Sequence, residues 1–160
     1  MKHKWAPWRM EYIMSPETDR CIFCDNDEDT TVAENKQWII IMNLYPYNNG
    51  HIMVAPRVHS KMIDELSQSE NAGLWEGVRI GVKIVKKAYQ PDGINVGINM
   101  GRSAGAGITD HLHVHIVPRW NGDTNFMPVF SETKLISEYI SKSVKRLRDA
   151  YLEVTGEEGI

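Results

Sequence analysis

The sequence predicts one domain of mixed strands and helices, the α+β class, and three observations carry that reading. His111-Leu112-His113-Val114-His115-Ile116-Val117 alternates imidazoles with aliphatic side chains at strand period, so the three histidines share one face and the aliphatics face a core. Two apolar runs, at 38–42 and 51–55, flank a turn short enough to make an antiparallel hairpin the natural connection. Two longer stretches, at 69–89 and 131–154, repeat apolar residues at helical spacing.

In chain order, residues 1–20 mix Trp5, Pro7, Trp8, Tyr12 and Pro16 without periodicity and read as an irregular arm whose aromatics pack on the domain or on a partner chain. After the polar run 25–31, Trp38-Ile39-Ile40-Ile41-Met42 reads as a buried strand and Tyr45-Pro46-Tyr47-Asn48-Asn49-Gly50 as a turn. The next strand, 51–55, is stopped by Pro56. Ser69 caps a helix with Glu70 in its first turn, and Leu74, Val78, Val82, Val85 and Tyr89 form its apolar stripe until Pro91 ends it. Residues 94–100 form another strand, and the glycine-rich 101–107 a loop feeding the histidine strand. A C-terminal helix over 131–154 carries Ile136, Ile140, Val144, Leu147 and Tyr151 opposite Lys142, Lys145 and Arg148, which read as a solvated face. No repeat or linker divides the chain, so residues 1–160 read as one domain.

A net charge of −3 offers no surface for duplex nucleic acid, so a nucleotide partner has to be recognised by a local pocket. Residues 1–10 hold no apolar leader core, and no run approaches the roughly 20 apolar residues of a membrane span, so a cytoplasmic location is expected. Cys21 and Cys24 are too few for a disulfide scaffold.

Imidazole near neutral pH is a nucleophile, a proton carrier or a metal ligand, and an array of three is a poor use of a merely solvated strand face. His113, central in the array, is best placed as nucleophile. His115 on the same face reaches a phosphate oxygen, and His51 on an adjacent strand supplies a further donor or proton. Gly105 and Gly107, just before the histidine strand, allow backbone N–H groups to turn toward an anion; without the histidines beside them a plain turn would explain them equally well. Cys21 and Cys24, at C-x-x-C spacing, offer thiolates to a structural zinc with His59 and His111 as candidates for the other positions. Such a filled site ties the arm to the sheet and activates no water. A redox pair and two small buried thiols are the other readings of that spacing.

The stretch 111–117 matches the H-φ-H-φ-H-φ-φ motif (φ apolar) of the histidine triad family of nucleotide hydrolases and transferases, which the chain resembles. Gly50-His51-Ile52-Met53-Val54-Ala55-Pro56, with His59 beyond it, resembles that family's preceding hairpin. Trp5-Ala6-Pro7-Trp8-Arg9, Tyr45-Pro46-Tyr47-Asn48-Asn49-Gly50-His51 and Pro118-Arg119-Trp120-Asn121-Gly122-Asp123 look like the bacterial branch that includes diadenosine tetraphosphate phosphorylases. The resemblance implies a HIT-like α+β fold, a mainly antiparallel five-stranded sheet with two main helices, assembled as a homodimer or higher homo-oligomer. It implies that His113 attacks the α-phosphorus and carries a covalent nucleotide, with His115 and His51 contacting phosphate and handling protons. His111 then orients His113 and joins Cys21, Cys24 and His59 on zinc; Asn99 takes the phosphate side and Asn43 the ribose. Many hydrolase relatives place Gln before the triad, whereas this chain has Ala106-Gly107-Ile108-Thr109-Asp110. Backbone N–H groups of Ala106 and Gly107, with a hydroxyl from Thr109 or Ser103, are expected to replace that Gln. Trp120 either stacks on a base or packs in the core.

The reading that follows is a nucleotidyl transferase or hydrolase acting on dinucleoside polyphosphates. The alternatives are a nucleoside phosphoramidate hydrolase, a nucleotide-binding regulator with incidental catalysis, and a metalloenzyme centred on His111, His113 and His115.

Overall fold

Five strands form one sheet in the computed structural model, which describes residues 20–25, 27–123 and 137–157. They are β1 (Thr31–Glu34), β2 (Trp38–Met42), β3 (Ile52–Pro56), β4 (Gly93–Ile98) and β5 (Val114–Arg119). Their spatial order is β1-β2-β3-β5-β4, and every neighbouring pair is antiparallel. The predicted hairpin is β2 with β3, in a register that pairs Trp38 with Pro56 and Met42 with Ile52. β1 is an addition to the strands read from residue patterns: it has only 4 residues, abuts a polar run and carries a bulge between Thr31 and Ala33. β4 and β5 are shorter than predicted, so His111 and His113 precede the hydrogen-bonded strand and His115 lies within it.

The side-chain period of 2 divides the sheet into two apolar faces. Ile40, Met42, Ile52, Val54, Val114 and Ile116 join the main core under the helices α1 (Gln68–Tyr89) and α2 (Ile140–Thr155). Ile39, Ile41, Met53 and Ala55 form a smaller core on the other face, closed by Phe23. β2 is therefore buried on both sides, which is why its sequence is continuously apolar.

α1 begins one residue after Ser67, not Ser69. Ser67 Oγ accepts from the Glu70 N–H at 3.3 Å, and the Glu70 carboxylate accepts from the Ser67 N–H at 2.8 Å, a reciprocal cap. The predicted stripe of Leu74, Val78 and Val85 is buried, and Val82 and Tyr89 pack at its margin. Between these residues Gly73, Gly77 and Gly81 let the helix lie close on the sheet. A Cβ at Gly77 would stand 2.7 Å from Trp38 Cγ and 2.9 Å from Val54 Cγ1.

α2 starts at Ile140 instead of residue 131; Ile136 and the rest of 124–136 lie outside the described residues, as does the predicted arm at 1–19. Residues just before the helix are committed to tertiary bonds. Ser137 Oγ accepts from Asn49 Nδ2 at 2.7 Å, and Glu138 accepts from Tyr89 Oη at 2.7 Å and Ser143 Oγ at 2.8 Å. Arg148 departs from the expected solvated face: its guanidinium donates to the Thr31 carbonyl at 2.7 and 2.9 Å and to the Glu28 carbonyl, fastening α2 to the start of β1. Among the described residues, no helix is long and apolar enough to cross a membrane.

Gly77→Ala is expected to destabilise the protein by about 1–3 kcal/mol in urea unfolding, because overpacking against Trp38 outweighs the roughly 1 kcal/mol of helix propensity gained. Unchanged or increased stability would show that α1 does not need this close approach.

Candidate functional site

β3 and β5 are neighbours, with Met53 opposite His115. His51, just before β3, therefore projects on the face that carries His115. His51 Nδ1 accepts the Tyr47 backbone N–H at 3.0 Å, so in the neutral ring the proton sits on Nε2. That Nε2 is 3.0 Å from His115 Nδ1 and donates to it. His115 is consequently left with its own proton on Nε2.

His113 has the opposite tautomer. Its Nδ1 lies 2.9 Å from the His111 carbonyl, which can only accept, so Nδ1 carries the proton and Nε2 keeps a lone pair. Burial pushes the His113 pKa down, against a smaller upward push from that carbonyl, so the ring is neutral at neutral pH. The His113 and His115 rings meet edge-on with centroids 4.8 Å apart. The array thus holds a lone-pair nitrogen beside an N–H donor, the combination that nucleophilic attack on a phosphorus centre requires.

A cleft of about 410 Å³ opens beside His115, with Tyr47, Asn95, Gly97, Asn99 and Val117 among its walls. Asn99 therefore shares a cleft with His115. Asn43 lies beside His51: its Nδ2 is 3.4 Å from both nitrogens of that ring, and its Oδ1 accepts the Tyr45 N–H at 2.9 Å. Trp120 packs edge-on against Tyr89 of α1, centroids 6.4 Å apart, which favours packing over base stacking. In the 101–107 loop, Ser103 and Gly107 are exposed and Thr109 is half-buried. The Ala106 N–H, expected to face an anion, turns back to the Gly101 carbonyl at 3.3 Å.

Cys21, Cys24, His59 and His111 converge as predicted, with one ligand atom from each, all within 4.8 Å of one another. Cys21 Sγ is 3.2 Å and Cys24 Sγ 3.6 Å from His111 Nδ1, and Cys24 Sγ is 3.3 Å from His59 Nδ1. The Leu112 N–H donates to the Ser60 carbonyl at 2.7 Å, which brings His59 beside His111 despite their separation in sequence. His111 Nε2 donates to the Pro56 carbonyl at 2.9 Å, so its Nδ1 lone pair faces the sulfurs. Burial pushes the Cys24 thiol up to about 11, helped by the hydrogen bond and charge of Cys21. A bound cation taking the place of the Cys24 proton would reverse that preference, and the donor set of two sulfurs and two nitrogens fits a tetrahedral metal. Among the described residues it is the single such cluster of His, Cys, Asp or Glu.

Pattern reading of the sequence missed Phe23 and Tyr47 as site residues. Phe23 contacts the rings of His111 and His113 at 5.1 and 5.2 Å between centroids. Tyr47 stacks on His51 at 4.8 Å. Tyr47 had one available signal, its place in the turn before His51; Phe23 had none beyond lying between the cysteines.

Comparison with known proteins gives a consistent picture. The family model described as the HIT domain matches residues 25–122. A Mycobacterium tuberculosis protein named AP-4-A phosphorylase is 33% identical over 161 aligned positions, covering 92% of this chain and 82% of the relative. The asymmetrical bis(5'-nucleosyl)-tetraphosphatase of Schizosaccharomyces pombe is 33% identical over 117 positions, covering 73% and 59%. A solved structure described as a hypothetical histidine triad nucleotide-binding protein from Sulfolobus tokodaii superposes with a TM-score of 0.66 at 30% identity, over 78% of this chain and 85% of that one.

Protein purified without chelator is expected to hold close to one equivalent of metal by elemental analysis, and Cys21→Ser to release it and lower Tm by roughly 5 °C or more. Folded protein with less than about a tenth of an equivalent would show the cysteines to be packing residues.

Proposed function

The chain belongs to the HIT domain family, and on that footing we propose that it is a nucleotidyl transferase or hydrolase that cleaves dinucleoside polyphosphates, diadenosine tetraphosphate foremost, through a nucleotide carried on His113. The substrate class is supported by the names of the phosphorylase and tetraphosphatase relatives. The observation that carries the mechanism is the 2.9 Å hydrogen bond from His113 Nδ1–H to the His111 carbonyl.

With its Nδ1 proton held there, His113 directs the Nε2 lone pair at the α-phosphorus. A P–N bond forms while the bond from phosphorus to the bridging oxygen breaks, and the electron pair leaves with the nucleoside triphosphate. His115 Nε2–H hydrogen-bonds the departing oxygen, and His51 Nε2–H, fixed by the Tyr47 N–H, keeps His115 in that tautomer. The nucleotidylated ring is cationic, and the His111 carbonyl stabilises it through Nδ1–H. Water or phosphate then attacks the phosphorus, the P–N bond breaks, and the lone pair returns to Nε2. Asn99 takes the phosphate side in this reading, supported by its place in the cleft wall with His115. Ser103, Gly107 and Thr109 remain in this reading as loop donors for the leaving phosphates.

Cys21, Cys24, His59 and His111 would hold zinc, the ion that two thiolates and two imidazoles suit best. Four protein ligands leave no position for substrate, so that ion contributes stability and takes no part in the bond changes.

Incubation with diadenosine tetraphosphate, with and without inorganic phosphate, tests the reading. ADP plus ATP formed only with phosphate identifies phosphorolysis, AMP plus ATP identifies hydrolysis, and absence of both overturns the proposal. His113→Ala is expected to lose about three or more powers of ten in rate while keeping its circular dichroism, and activity within about tenfold of the parent would remove the nucleophile assignment.

A further inference from the structure

Phe23 sits between two metal-cluster residues, Cys21 and Cys24, in a turn closed by the Cys24 and Asp25 N–H groups on the Cys21 carbonyl at 3.0 and 2.8 Å. Its side chain is 1% exposed and closes the minor core of Ile39, Ile41, Met53 and Ala55. Its ring also lies nearly flat on His113, 5.2 Å between centroids with 30° between planes. His113 is 2% exposed and, among the described residues, its ring has one hydrogen bond, at its Nδ1 edge. One bond at an edge does not fix the plane of an imidazole. The plane is set by what covers its faces: Phe23 on one side and the His115 ring, edge-on at 77°, on another.

We propose that Phe23 is a positioning residue for His113, and that through it the cluster of Cys21, Cys24, His59 and His111 sets the direction of the nucleophile's Nε2. The inference rests on the reading of His113 as nucleophile. The cluster reaches His113 by two routes. His111 lends its ring to the cluster and its carbonyl to His113, and the Cys21–Cys24 turn presses Phe23 onto the same imidazole. Drawing the cysteines and His111 together therefore clamps His113 between a carbonyl and an aromatic face. Attack at phosphorus is sensitive to such alignment, since a misplacement of about 1 Å lowers a rate roughly a hundredfold without requiring weaker substrate binding.

A ring that only filled the minor core would be replaceable by an aliphatic of similar size. Phe23→Leu separates the two roles, with urea unfolding, metal content, KM and the single-turnover rate of nucleotide transfer to His113 measured together. The expected result is parent-like unfolding and metal content, KM within about threefold, and a single-turnover rate down at least about tenfold. A rate within about twofold of the parent, or a rate loss matched by lost metal or raised KM, overturns the positioning role. If Phe23→Leu fails to fold, Phe23→Met, flexible and apolar, takes the same measurements. Parent protein stripped of metal, at a temperature where circular dichroism shows it folded, is expected to show the same selective rate loss; an unchanged rate overturns the coupling. His113→Ala run alongside separates the nucleophile from its positioning residue: if that variant keeps parent activity, the nucleophile assignment has failed, and if it is inactive while Phe23→Leu is parent-like, only the positioning role has failed.

Discussion

An imidazole can attack phosphorus only through a nitrogen whose lone pair is free, and in a neutral ring something must decide which nitrogen that is. Here a backbone carbonyl decides it. The His111 carbonyl accepts from His113 Nδ1 at 2.9 Å, and because an amide oxygen has no proton to give, the choice does not depend on side-chain rotamers elsewhere. The same residue turns its ring the other way, with Nε2 bonded to the Pro56 carbonyl and Nδ1 facing the cysteines. His111 thus joins the candidate metal centre to the candidate nucleophile within one residue.

His51 and His115 complement this arrangement through the opposite tautomer. A backbone N–H from Tyr47 enforces acceptance at His51 Nδ1, and the 3.0 Å contact to His115 passes that constraint along. The site therefore contains a base and a donor of the same chemical type, distinguished by whether main chain offers a carbonyl or an N–H. Such an arrangement needs a rigid frame, and the sheet supplies it. Both helices pack on one face, and α1 lies close enough that Gly77 has no room for a Cβ beside Trp38, while the other face is left to Phe23, the metal cluster and the histidines.

Much of this was legible in the chain because it is local. Alternation of His with Leu, Val and Ile shows a two-faced strand without any knowledge of the partner strand, and the hairpin follows from two apolar runs and a short turn. The cluster of Cys21, Cys24, His59 and His111 was readable from donor chemistry, although not from spacing alone. What escaped depends on distant pairings. β1 exists because four residues pair with β2 and because Arg148, 117 residues away, binds the Thr31 carbonyl. The delayed start of α2 reflects bonds from Tyr89 and Asn49, which no helical period encodes. The Ala106 N–H turns into its own loop, and Phe23 is held against His113 where strands from elsewhere in the chain supply the minor core it closes.

Main-chain groups impose opposite tautomers on neighbouring histidines, and nitrogen-15 chemical shifts of the imidazoles in the resting protein at neutral pH measure this directly. The account predicts a protonated Nδ1 and an unprotonated Nε2 for His113, with the reverse for His51 and His115. His113 protonated at Nε2, or present as imidazolium, would contradict it.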